Sequence, residues 1–125
     1  MKPRTLHVKV GEDPQTALKQ FASTLTALEQ GKTPRPYFGL GFENVGQLFA
    51  VFTPRRWELL AVLRQSGPVS VAELARRLSR DYKNVYNDVA QLIEWQVIEK
   101  NSKGKVFAPY SEISVDVRLP CQNAA

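Results

Sequence analysis

Residues 70–89 read Ser70-Val71-Ala72-Glu73-Leu74-Ala75-Arg76-Arg77-Leu78-Ser79-Arg80-Asp81-Tyr82-Lys83-Asn84-Val85-Tyr86-Asn87-Asp88-Val89. Two short helical patterns meet here at a polar turn, and four cations fall between Arg76 and Lys83. Ser70 and Glu73 carry the spacing of a Ser-x-x-Glu capping box, in which hydroxyl and carboxylate each accept an orphan backbone N–H at a helix start. Val71, Leu74, Ala75 and Leu78 then recur at helical spacing and define a buried face, off which Arg76 and Arg77 fall. Asp81 is the natural N-cap of a second helix, its carboxylate set to accept backbone N–H groups at the positive end of the dipole. Val85, Val89 and Leu92 continue as the inward stripe. Tyr82, Lys83, Asn84, Tyr86 and Asn87 are left facing outward on the N-terminal half, with Gln91 further along.

That outward set suits double-stranded DNA. Lysine pairs with guanine acceptors or phosphate, asparagine bonds adenine bidentately, and tyrosine offers a hydroxyl to phosphate or a ring face to a thymine methyl. A helix-turn-helix presents the N-terminal turns of its second helix to the major groove, so placement and composition agree. Asp88, one turn further on, is expected to serve solubility or to orient Lys83 or Arg77.

The surrounding chain fits this reading. Its 125 residues, 43% hydrophobic, suffice for one domain or a small domain with an N-terminal extension. The formal net charge is +5, and a basic balance favours polyanionic partners without proving one. Between Thr53 and Pro109 ten cations face six anions, so most of the excess lies in this half. The one cysteine, Cys121, allows neither an internal disulfide nor a Cys-rich zinc site, and a reducing cytoplasm is the expected location. No stretch approaches the roughly 20 apolar residues of a membrane helix, and the alternating Leu6-His7-Val8-Lys9-Val10 is not a signal-peptide run.

In chain order, Thr5 to Val10 alternates as a half-buried strand. Asp13-Pro14 supplies an N-cap and a first-turn proline for a helix carrying Leu18, Phe21, Leu25 and Leu28, closed at Gly31. A proline-containing loop leads to a second alternating run with Phe38, Leu40 and Phe42, within which Gly39 and Gly41 read as bends. Residues 1–46 thus read as a small β-α-β segment that cannot bury both faces alone, and dimerisation or partner binding is as well supported as simple extension of one core. A short helix over Asn44 to Phe52 connects the halves. Thr53-Pro54 caps a helix with Trp57, Leu59, Leu60, Val62 and Leu63, which Ser66-Gly67-Pro68 ends. After the second helix of the pair, Gln96 to Lys100 and Lys105 to Ala108 flank the turn Asn101-Ser102-Lys103-Gly104. This is a wing with Lys100, Lys103 and Lys105 at its tip. A solvated hairpin whose lysines discourage edge pairing is the plainer alternative. Residues 112–119 alternate as one more strand, and 120–125 are expected to form a flexible tail.

The order helix, minimal strand at Val69, helix, recognition helix and wing resembles winged helix-turn-helix proteins of the MarR-like type. Leu78-Ser79-Arg80-Asp81-Tyr82-Lys83-Asn84-Val85 is closer still to the small DNA-binding regulators first grouped around haloarchaeal members, whose motif reads Arg-Asp-Tyr-Lys-Asn-Val-His. The similarity spans about residues 47–119. Tyr86 stands where those proteins often have histidine and Asn87 where they often have arginine, which alters base preference and removes one phosphate contact. The resemblance implies an antitoxin encoded beside a toxin and repressing its own operon.

The fold class expected is α+β, a winged helix-turn-helix domain over 47–119 preceded by the β-α-β segment. The function expected is a sequence-specific double-stranded DNA-binding regulator acting as a homodimer, with a cognate toxin as the partner the resemblance adds. Arg80, Tyr82, Lys83, Asn84, Tyr86 and Asn87 would enter the major groove, while Arg76, Arg77, Lys103 and Lys105 hold phosphate. The alternative is a protein-interaction module on the same scaffold. RNA binding is weaker, since the aromatics are not arrayed on strands. An enzyme is least supported: His7 stands alone on a strand, and no phosphate loop, metal spacing or nucleophile elbow occurs, so no cofactor or metal is expected.

Overall fold

Residues 4–11, 14–31 and 38–117 are described by the structure, a computed structural model. The described residues form five helices and two small sheets in two units, one centred on residues 49–112 and the other on 5–48 with the strand residues from Ile113 onward. The expected N-cap Asp13, loop 32–36, strand end 118–119 and tail 120–125 lie wholly or largely outside the described residues.

In the first unit, α3 (Pro54–Ser66) starts as its sequence dictates: Thr53 Oγ1 accepts from the Arg56 N–H at 3.2 Å and Pro54 occupies the first turn. Leu59, Leu60 and Leu63 are buried, and Trp57 stacks on Phe52 with ring centroids 5.0 Å apart. Gly67, at φ 75°, returns its N–H to the Leu63 carbonyl and ends the helix. Val69 then forms an isolated antiparallel bridge with Val106, exchanging N–H···O bonds of 3.1 and 2.8 Å. This is the minimal strand the sequence placed there.

Helix α4 (Val71–Leu78) follows. The Ser70 hydroxyl accepts the Glu73 N–H at 3.1 Å, but the Glu73 carboxylate turns to two arginines, so half of the expected capping box is replaced by ion pairs. Ser70→Ala removes the remaining cap, and a loss of about 1 kcal/mol in unfolding free energy is expected from denaturant midpoints. The helix closes on Ser79 in the left-handed region at φ 53°. The Arg80 N–H reaches the Ala75 carbonyl and the Ser79 N–H the Arg76 carbonyl, the paired bonds of a Schellman motif.

Helix α5 (Tyr82–Glu94) buries Val85, Val89 and Leu92 as expected. Asp81 holds the N-cap position in extended conformation, but its side chain makes no capping hydrogen bond. The helix ends in a second Schellman pair, Gln96 N–H to Ile93 and Val97 N–H to Leu92, with Gln96 at φ 65°. Buried Val97 and Ile98 lead into β3 (Glu99–Lys100), which pairs antiparallel with β4 (Val106–Phe107). The wing turn is templated by one side chain: Asn101 Oδ1 accepts the backbone N–H groups of both Lys103 and Lys105 at 3.0 Å. Gly104 supplies the φ of 78° that closes it.

In the second unit, β1 (Thr5–Val10) buries Leu6, Val8 and Val10, the three residues its alternation marks. It runs parallel to β2 (Phe38–Phe42), with Leu6 opposite Phe38 and Val10 opposite Phe42, and α1 (Pro14–Glu29) connects the two strands. Gly39 and Gly41 sit inside this unbroken register, so they are strand residues and not the bends the sequence reading made them. The further strand, β5 (Glu112–Val117), joins the other side of β1, giving the order β2-β1-β5. The strand expected at 112–119 therefore belongs with the N-terminal sheet and not with the winged-helix half that the sequence reading assigned it to. Between the units in sequence, α2 (Val45–Val51) begins with Asn44 Oδ1 accepting the Gln47 N–H at 2.9 Å.

Candidate nucleic-acid interface

Helix α5 is split by its own periodicity. Its inner face is sealed by Val85, Val89 and Leu92, which leaves Tyr82, Lys83, Asn84, Tyr86 and Asn87 exposed along two adjacent rows. The Tyr82 and Tyr86 rings, one turn apart, lie 6.1 Å centroid to centroid at 31°, and each is half exposed. The side chains of Lys83, Asn84 and Asn87 make no hydrogen bond or ion pair among the described residues. A row of uncommitted donors and acceptors beside two open aromatic faces matches what base edges and thymine methyls present.

Arg80 behaves differently. Its side chain is only 14% exposed and its Nη2 donates to Asp88 Oδ2 at 2.9 Å. Asp88 Oδ1 accepts in turn from Arg56 Nε at 3.2 Å, and Arg56 Nη1 donates to the Val51 carbonyl at 2.9 Å. One carboxylate thus ties α3, the turn and α5 together, and the head of Arg80 is committed inward, apart from the open row it was expected to join. Asp88 orients Arg56 and Arg80, where the sequence reading had it serving solubility, Lys83 or Arg77. The Nε and Nη1 of Arg80 are buried with no partner among the described residues.

Arg76 and Arg77 are exposed, as phosphate ligands must be, yet both already hold an anion. Arg76 Nε donates to Glu73 Oε2 at 2.9 Å and Arg77 Nε to Glu73 Oε1 at 3.0 Å. The two guanidinium groups, Arg76 foremost, hold the Glu73 carboxyl down from 4.5 to about 2, and the same pairing raises Arg76. A lowered carboxyl pKa contributes stability above about pH 4.5 that disappears as pH falls towards 2. The melting-temperature difference between the wild type and Glu73→Gln is accordingly expected to be constant near neutrality and to close over that acidic window.

On the wing, Lys103 and Lys105 are exposed, and their ammonium groups, like that of Lys100, have no partner among the described residues. The sequence reading missed Arg55. Exposed at the second position of α3, it lines a shallow cleft with Glu58, Leu78, Ser79, Arg80, Asp81 and Asn84, beside the first turn of α5. No local signal separates it from Arg56, its neighbour; only packing shows that Arg56 turns in and Arg55 stays out.

Among the described residues no group of three His, Cys, Asp or Glu side chains is placed to hold a metal ion, and no helix is long and apolar enough to cross a membrane.

A helix, a one-residue strand, two helices joined by a tight turn and a two-stranded hairpin constitute a winged helix-turn-helix. The chain belongs to the HVO_A0114 family, whose model matches residues 51–115. No curated protein sequence matches. Among solved structures, it is similar to a multiple antibiotic-resistance repressor (MarR) from Listeria monocytogenes, at 14% identity and a TM-score of 0.43 over 77% of this chain. The match spans 64% of that repressor's length.

Proposed function

We propose that the protein is a sequence-specific double-stranded DNA-binding transcriptional regulator. The observation that carries this reading is the outward face of α5, where Tyr82, Lys83, Asn84, Tyr86 and Asn87 are exposed while the opposite face of the same helix is sealed in the core. Such a face packs into no core among the described residues and has the right chemistry for a major groove. Lys103 and Lys105 of the wing, with Arg55, Arg76 and Arg77, hold flanking phosphate, and Arg80 positions α5 through Asp88. The protein works in the cytoplasm as a homodimer on half-sites about one helical turn apart. An antitoxin role, with a toxin as partner and autorepression as its effect, extends the reading on the sequence resemblance alone.

The test is binding to the chain's own upstream region and to a scrambled duplex of equal length, across a salt series. A specific regulator prefers the first by roughly 10³ or more at physiological salt. Equal, steeply salt-dependent binding to both would reduce the cations to non-specific attraction and favour a protein-interaction role.

A further inference from the structure

Helix α1 carries its large apolar residues on the outside. Leu18, Phe21, Leu25 and Leu28 are between 44% and 66% exposed. Four large hydrophobics in one row on a folded surface mark a site that another surface covers. Their spacing is informative. Steps of three, four and three residues are the a and d positions of two heptads, a 3.5-residue repeat that suits a seam between two helices. A helix packed on a sheet calls for a broader stripe.

We propose that α1 is a homodimer seam in which two copies of this helix pack antiparallel about a two-fold axis beside Ser23. The proposal rests on the dimer reading above and supplies its surface; it does not depend on DNA binding. The spacing is palindromic, so an antiparallel pair sets Leu18 of one copy opposite Leu28 of the other, and Phe21 opposite Leu25. That is the reciprocity an isologous contact requires. Charge selects both the occupant and the direction. The chain as a whole is +5, which opposes self-association through most of its surface, yet α1 carries one cation, Lys19, and one anion, Glu29, and is neutral. Antiparallel packing brings Lys19 of one copy to within two residues, about 3 Å of axial rise, of the level of the other copy's Glu29, on the same edge of the seam. Parallel packing would align lysine with lysine and glutamate with glutamate.

A seam of two heptads is short, so dissociation on the order of micromolar is expected. Sedimentation of the full chain from about 1 to about 200 µM should show a monomer–dimer equilibrium, and Phe21→Asp should weaken it roughly 30-fold or more. Phe21 is exposed, so the variant's circular dichroism should match the wild type. Lys19→Glu should weaken association about two- to fivefold, and adding Glu29→Lys should restore it. Direction is read in a Cys121→Ser background by mixing tagged Leu18→Cys chains with untagged Leu28→Cys chains under mild oxidation. The mixed disulfide is expected; homodisulfides at each position would overturn the antiparallel arrangement. A dimer whose mass is unchanged by Phe21→Asp would overturn the seam and leave the dimer reading standing. A monomer throughout, with and without DNA, would overturn both.

Discussion

Asp88→Ala is expected to lower the unfolding free energy by about 3 kcal/mol or more, which for a unit of this size lowers the melting temperature by roughly 10–20 °C. The carboxylate is 17% exposed and faces two guanidinium groups that are 14% exposed each, at 3.2 and 2.9 Å. Removing it leaves two largely buried cations facing each other without an anion. Breaking a buried pair from one side costs far more than the pair contributes when intact. The strain falls on Arg80 first, because its Nε and Nη1 are already without a partner among the described residues. Arg80→Met, by contrast, removes the less satisfied cation and leaves Arg56 paired, so its cost should be about 1 kcal/mol or less. A loss below 1 kcal/mol in Asp88→Ala, measured by denaturant titration, would show that water replaces the carboxylate and that the clasp is not a structural tie.

The second large effect concerns binding and leaves the fold alone. On the proposed DNA-binding function, Lys83→Glu combined with Asn84→Ala should reduce affinity for the cognate duplex by about 10² to 10⁴, since each good base or phosphate contact is worth about 1–3 kcal/mol and the glutamate adds repulsion. Both positions are exposed and their side chains uncommitted among the described residues, so the melting temperature should move by no more than about 2 °C. Arg76→Ala should do less, because Glu73 already neutralises that guanidinium in part. Unchanged operator binding in the double variant would remove α5 from the groove.

Much of the winged-helix half was legible because its signals are local. Thr53-Pro54, Ser70, the Gly67 stop and the Asn101 to Gly104 turn each act within four or five residues, and the stripe of Val85, Val89 and Leu92 repeats within one helix. The features that escaped are those in which distant residues meet. Arg56 and Asp88 are 32 positions apart, so nothing in periodicity couples them. Once they pair, Arg80 belongs to the interior and not to the set expected to face a groove. Glu73 fitted two local patterns at once, a capping box and an i,i+3 and i,i+4 ion pair; two guanidinium groups outcompeted one backbone N–H. The α1 stripe was legible as apolar, yet its exposure was not, because periodicity shows which residues share a face and only packing shows whether anything covers that face.

The sheet order β2-β1-β5 also sets a timetable for the newborn chain. Strand β5 leaves the ribosome about a hundred residues after β1. At about 5–20 residues per second, one edge of β1 waits roughly 5–20 s on the ribosome for its partner, while β2 arrives within the first few seconds. Throughout that interval the winged helix is being made, so β5 completes a sheet whose other two strands left the ribosome long before it. Lys9 and His7, alternating with the buried valines of β1, are the residues placed to keep that waiting edge from pairing with a neighbouring chain.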